Sequence, residues 1–210
     1  MLGCSLGPFL RLCGHTVFGQ SRSDGYDLKL DLLDSSAWEK CLKHLQPDTI
    51  VNLAAATNVD QCEINPQWAF DANVGPLLAL QRAISSVNIY PHILHISTDQ
   101  VYDGIGPHIE ANVRPSNVYA LSKFASELAI TNCPTTIFRT NFFGLSHAPG
   151  RLSFSDWIVK SVKARKPIIL FEDVLFSAVH MQTLCELVNI AIVKRELGTF
   201  NVGTSDGISK

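Results

Sequence analysis

Short apolar, β-rich runs alternate with stretches of helical periodicity along the whole chain. This rhythm constrains the fold more than any other feature of the sequence. Residues 48–55, DTIVNLAA, form a continuous apolar run, the pattern of a strand covered on both faces. Similar runs occur at 15–21, 91–97, 134–140, 167–171 and 198–203. Between them, helical spacing predicts helices over 35–45, 66–86, 117–131, 154–165 and 181–193. The first of these has Ser35 or Ser36 as its cap, with Trp38, Cys41, Leu42 and Leu45 on one face. Strands separated by helices require parallel pairing with right-handed crossovers. The expected class is α/β, a doubly wound parallel sheet. Long irregular segments at 100–116 and 141–153 follow two of the strands, where such sheets place their ligand sites.

Composition excludes several alternatives. The chain has 210 residues, 46% hydrophobic and 17% charged, so it has enough apolar material for a core without disulfides or metals. Its 17 basic and 19 acidic residues give a net charge of −2, with no basic excess for nucleic acid. No apolar run approaches a membrane span, and no basic segment precedes an apolar core at the start, so the expected location is cytoplasmic. Cysteines 4, 13, 41, 62, 133 and 185 are scattered without a CxxC pair. They read as reduced, mostly buried thiols rather than metal ligands.

One constellation carries chemistry. Tyr119 and Lys123 stand four residues apart at the start of a predicted helix, on one face. An ammonium beside a phenol favours phenolate and is expected to lower the Tyr119 pKa, making it a proton donor or acceptor. A helix face with a solvated Lys has the same spacing. Upstream, the strand over 91–97 runs into Ser97-Thr98-Asp99-Gln100-Val101-Tyr102-Asp103-Gly104. Thr98 is placed to hold a substrate carbonyl at a strand's C-terminal end, although these residue types also form turns.

Thr98 to Gly104 followed by Asn117-Val118-Tyr119-Ala120-Leu121-Ser122-Lys123 resembles the extended short-chain dehydrogenase/reductases. More narrowly, it is similar to the dTDP-4-dehydrorhamnose reductase group of sugar-nucleotide reductases. Other matches follow in order: Asp31-Leu32-Leu33-Asp34, the segment Pro47 to Asp60, Asn73-Val74-Gly75-Pro76, Arg139-Thr140, Phe171 to Cys185, and Phe200-Asn201-Val202-Gly203. The resemblance implies a Rossmann-like domain over 1–145 and a small, partial substrate lobe over 146–210. It also implies NADPH- or NADH-dependent reduction of a 4-keto group on a nucleotide-linked sugar. In that scheme Tyr119 protonates the developing alkoxide, Thr98 orients the carbonyl, and Lys123 holds the nicotinamide ribose and tunes Tyr119. Asn73 supports Lys123 through backbone and water. Asp31 and Leu32 lie near the adenine, and Ala54, Ala55 and Thr57 line the cofactor. Arg22 either pairs with a 2′-phosphate, favouring NADP, or is an exposed loop residue. No metal is implied. The expected partner is the nucleotide sugar, with a homodimer or a partner enzyme also open.

Two departures temper that scheme. Gln100 stands where the rhamnose-type reductases usually have Tyr. Gly3 resembles the third glycine of the family's phosphate-binding turn, while the first strand and first two glycines have no counterpart. The sheet is therefore expected to show two unpaired edges where one strand belongs. A helix is expected to begin around residues 4–7, because Pro8 belongs near a helix start. Residues 204–210 read as a loop leading into a further helix, and the chain as a fragment of a longer reductase. The alternative is a non-catalytic, reductase-like regulatory subunit, similar to the beta subunit of methionine adenosyltransferase.

Overall fold

The computed structural model describes residues 1–21, 25–130, 132–170 and 175–209. The elements run α1 (Leu2–Leu12), β1 (Gln20–Ser21), β2 (Leu28–Lys29), α2 (Ser35–Leu45), β3 (Thr49–Asn52), α3 (Val59–Ile64), α4 (Pro66–Asn73), α5 (Gly75–Val87) and β4 (His92–Thr98). After a 3₁₀ turn (Asp99–Val101) come α6 (Val118–Leu128), β5 (Thr135–Thr140), β6 (Phe142–Phe143), α7 (Phe154–Lys163), β7 (Leu175–Phe176), β8 (Val179–His180), α8 (Met181–Lys194), β9 (Gly198–Val202) and β10 (Ile208–Ser209).

The central sheet has the order β3-β4-β5-β9, all parallel. Helices cover both faces. On one, Leu2, Leu6 and Leu10 of α1 and Leu184 and Val188 of α8 pack on Leu94 and Phe138. On the other, Trp38 and Leu42 of α2 and Leu77, Leu80 and Ile84 of α5 pack around Ile93. Successive β4 residues thus feed opposite cores, as strand alternation requires. The α/β reading with parallel strands holds. β1 and β2 pair with each other in parallel, and among the described residues neither pairs with β3.

Several elements differ from the sequence reading. The strand over 15–21 shrinks to Gln20–Ser21: among the described residues the ladder with β2 covers only these two, while the Gly19 carbonyl accepts from the Leu28 amide at its start and the Val17 carbonyl takes the Arg11 side chain instead. The helix over 66–86 is two helices that meet at Val74, next to Gly75-Pro76, and proline cannot donate across that junction. The α2 cap is Asp34, not Ser35 or Ser36; its carboxylate accepts from the Ser36 and Ala37 amides. Helix α1 begins at Leu2, so Pro8 lies inside it and leaves the Cys4 carbonyl without its usual donor. No strand forms over 167–170, and Phe171 lies outside the described residues. The 204–210 segment, read as loop, contains the short strand β10, antiparallel to β7. Helix α3 is not among the helices that the periodicity predicts.

All six cysteines are free; Cys62 and Cys185 are buried, whereas Cys13 is exposed. Among the described residues no helix is long and apolar enough to cross a membrane.

Candidate active site

The C-terminal ends of β3, β4 and β5 converge where Thr98, Tyr119 and Lys123 are buried together. Asn117 caps α6 by accepting from the Ala120 amide at 2.8 Å. This starts the helix so that Tyr119 and Lys123 face β4. Tyr119 is 8% exposed, Thr98 4% and Lys123 2%. The phenol shares a hydrogen bond with the Thr98 side chain. The Thr98 hydroxyl also accepts from the Gln100 amide at 3.2 Å, fixing the turn that carries Asp99 and Gln100.

The electrostatics differ from expectation. Burial raises the Tyr119 pKa above its ordinary value; the Thr98 hydrogen bond works against the rise, and Asp99 and Cys62 add to it. The Lys123 charge is not among the groups acting on the phenol, so the predicted lowering does not occur. Instead the Lys123 ammonium donates to the Ile96 carbonyl at 2.8 Å and stands 3.4 Å from His95 Nε2. Burial lowers the Lys123 pKa to about 8, with Glu127 pulling it back upward.

A buried polar relay underlies Lys123. The Ala54 amide donates to Asn52 Oδ1 at 3.2 Å, which turns Asn52 Nδ2 toward His95 Nδ1 at 3.0 Å. His95 Nδ1 therefore accepts, and Nε2–H faces Ser126 Oγ at 2.9 Å. Ser126 in turn donates to the Lys123 carbonyl at 2.6 Å. Burial first, and the Lys123 charge second, hold the His95 pKa well below its ordinary value.

Asn73 is 1% exposed and joins two parts of the site. Its Oδ1 accepts from the Ala56 amide at 2.7 Å, and its Nδ2 donates to Ser122 Oγ at 2.8 Å and to the Ala56 carbonyl at 3.3 Å. Ser122 donates to the Tyr119 carbonyl at 2.8 Å. The 54–58 segment is thereby tied to α6. Ala54 is half-buried, and Ala55 and Thr57 are exposed at its surface.

The remaining expected residues lie apart. Asp31 accepts from the Leu33 amide at 3.0 Å, and the Leu32 carbonyl accepts from Trp38 Nε1 at 3.0 Å, so both shape the turn into α2. Arg22 lies outside the described residues. Gly3 sits within α1, and a Cβ there would meet Leu53 Cδ1 at an ordinary 3.5 Å. No close backbone approach demands glycine at that position. A cavity of about 470 Å³ runs past Gly3, Gly7 and Arg11 to Gly25, Tyr26 and Asp27. The strand ends present buried donors beside small residues, which could hold the nicotinamide half of a dinucleotide.

Sequence reading missed Asn52, His95, Ser122, Ser126 and Glu127. Only Glu127 left a legible signal, since it continues the four-residue spacing of Tyr119 and Lys123.

Comparison with known proteins gives the same picture. The family described as "RmlD substrate binding domain" matches residues 1–208. Spore coat polysaccharide biosynthesis protein SpsK of Bacillus subtilis is 29% identical over 97% of this chain and 70% of its own length. A dTDP-4-dehydrorhamnose reductase of Salmonella typhimurium is 30% identical over 75% of this chain and 59% of its own. A hypothetical dTDP-4-dehydrorhamnose reductase from Sulfolobus tokodaii superposes with TM-score 0.82 at 30% identity, covering 99% of this chain and 76% of that one. The Bacillus anthracis dTDP-4-dehydrorhamnose reductase in complex with NADP gives 0.84 at 24% identity, over 99% and 72%, a likeness of fold. With its parallel sheet, its family match and these relatives, the chain belongs to the RmlD substrate-binding-domain family, the dTDP-4-dehydrorhamnose reductase-like group of extended short-chain dehydrogenase/reductases.

Proposed function

We propose that the chain carries the reductase site of a sugar-nucleotide reductase, which reduces a 4-keto group on a nucleotide-linked sugar with NADPH or NADH. The observation that supports this most is the burial of Thr98, Tyr119 and Lys123, with Thr98 bonded to the phenol, near the C-terminal end of a parallel strand. A phenol with a raised pKa is neutral at pH 7 and carries the proton that a developing alkoxide needs. Thr98 orients the carbonyl beside that proton. The Lys123 ammonium, with a pKa of about 8, is mostly charged at pH 7 and would hold ribose hydroxyls. A reduced nicotinamide supplies the hydride when bound. Ala54, Ala55 and Thr57 would hold its near face, with Asn73 fixing the segment that carries them. Gly3, Asp31 and Leu32 would lie toward the phosphates and adenine. In this reading residues 1–145 form the cofactor side and 146–210 the sugar side.

The test is direct. Titrate the protein with NADPH and NADH by nicotinamide fluorescence, then screen dTDP-, GDP- and UDP-4-keto-sugars for turnover. Tyr119→Phe is expected to abolish reduction while leaving cofactor affinity within about threefold. Undiminished turnover in that variant removes Tyr119 from the acid role. Cofactor binding without turnover on any sugar, together with a stoichiometric enzyme partner in a pull-down, supports the regulatory reading instead.

A further inference from the structure

The chain leaves Thr98 through the 3₁₀ turn Asp99–Val101 and then makes a long loop over residues 102–113. The loop closes where the Arg114 amide donates to the Val101 carbonyl at 2.8 Å. Its apolar tip residues Ile105 and Ile109 are exposed, so it is not held by burial. It is held by two side chains from the sheet. Ser97 on β4, Arg139 on β5 and Asn201 on β9 are register partners across three parallel strands and so share one sheet face. Arg139 is 5% exposed. Glu127 of α6 takes its Nε and Nη2, and the same carboxylate accepts from Ser97. This leaves Nη1, which donates to the Tyr102 hydroxyl at 2.8 Å and to the Glu110 carbonyl at 2.6 Å. A guanidinium can grip on one side and reach out on the other because its donors form a rigid fork.

Asn201 holds the same loop from β9. Its Oδ1 accepts from the Tyr102 hydroxyl at 2.6 Å, its Nδ2 donates to the His108 carbonyl at 3.0 Å, and its amide donates to the Glu110 carboxylate at 2.9 Å. The Tyr102 ring stacks on His108, with centroids 5.0 Å apart. Five bonds from Arg139 and Asn201 thus pin Tyr102, His108 and Glu110. Tyr102 is where this clamp meets the site. It directly follows the 3₁₀ turn, and its amide donates to the Asp99 carbonyl at 3.1 Å. Within that turn the Gln100 amide donates to the Thr98 hydroxyl. We propose that Arg139 and Asn201 are positioning residues that hold the Asp99–Val101 turn through Tyr102 and so fix Thr98 for the substrate carbonyl. The catalytic meaning rests on the reductase reading of Thr98; the clamp on the loop does not.

Two variants test this at the outer end of the clamp. Asn201→Ala removes its side-chain bonds to Tyr102 and His108. Tyr102→Phe removes both bonds of the hydroxyl and keeps a ring on His108. Neither touches the buried Glu127–Arg139 pair, whose disruption would risk the fold. Hydrogen exchange, read by mass spectrometry on peptides within 99–113, is expected to quicken about tenfold in each variant, while peptides of β5 keep their rates. With turnover on a 4-keto-sugar nucleotide, kcat/KM is expected to fall about tenfold, because a displaced orienting group costs rate, while the NADPH Kd stays within about twofold. Unchanged exchange in either folded variant overturns the clamp. Faster exchange with unchanged kcat/KM marks a merely structural loop and overturns the positioning role, as does an equal loss of NADPH affinity. If the wild type reduces no 4-keto-sugar, the reductase reading fails, while the exchange rates still decide whether Arg139 and Asn201 hold the loop.

Discussion

Replacing Asn73 with Ala isolates what holds the loop after β3. The side chain makes three buried bonds, and its Oδ1 accepts from the Ala56 amide at 2.7 Å. Leaving a buried amide unpaired costs about 1–3 kcal/mol, and losing the bond to Ser122 about 1 kcal/mol more. The total is about 2–4 kcal/mol. With a urea m-value of about 2 kcal/mol/M, the midpoint is expected to fall by about 1–2 M. The Ala56 amide is expected to lose its protection from hydrogen exchange, while amides in the middle of β4 keep theirs relative to global stability. Asn73→Asp keeps one acceptor for Ala56 but points the other oxygen at the Ala56 carbonyl, so an intermediate loss is expected. If Asn73→Ala lies within about 0.5 kcal/mol of wild type and Ala56 exchange is unchanged, the clamp described here does not hold the loop.

Two further outcomes concern stability. The folded-state pKa of His95 lies well below its ordinary value and that of His92 is lowered too, chiefly by burial, so both stay neutral in the fold while the unfolded chain takes up protons. Stability should therefore fall as pH drops through about 6.5 toward the folded values, by up to about 1.4 kcal/mol per unit for each His. Urea melts from pH 7 to 5 check this, and a folded His95→Asn variant should show a shallower slope; an equal slope would refute the assignment. Gly203→Ala would bring a Cβ within 2.8 Å of the Ser177 carbonyl and 3.0 Å of its Cβ, where backbone must shift. A loss of about 1–3 kcal/mol is expected, whereas Gly75→Ala, which meets only the end of the exposed Leu33 side chain, should be near neutral by thermal melting.

The alternation of strands and helices was legible because each element carries its own periodicity. The start of α6 was legible because Asn117 is a local cap, and the pairing of Tyr119 with Lys123 because helix spacing is local. What stayed hidden depends on residues far apart in sequence. The acceptor of the Lys123 ammonium is a β4 carbonyl, and the cap that fixes Ala56 comes from the end of α4. No pattern around Lys123 announces either one. The sign of the Tyr119 shift was misjudged for the same reason: spacing shows that two side chains can meet, whereas burial and competing acceptors decide whether they do. The helix break at Val74 was written in Gly75-Pro76 and was read through.

The division of the sheet bears on how the molecule holds together. A continuous parallel sheet transmits cooperativity strand to strand through its hydrogen-bond ladder. Among the described residues the four-stranded ladder runs from β3 to β9, and β1 and β2 pair with each other. Among the links between the two parts are the apolar contact of Leu30 with α2 and α5 and of Val17 with the α1 side of the core, beside the Arg11 bonds to the Val17 carbonyl and Asp27. Non-directional apolar contacts tolerate sliding and rotation that a ladder forbids. The segment carrying Asp31 and Leu32 is thus held to the helices by that packing, by the Trp38 Nε1 bond to the Leu32 carbonyl and by the Arg11–Asp27 ion pair.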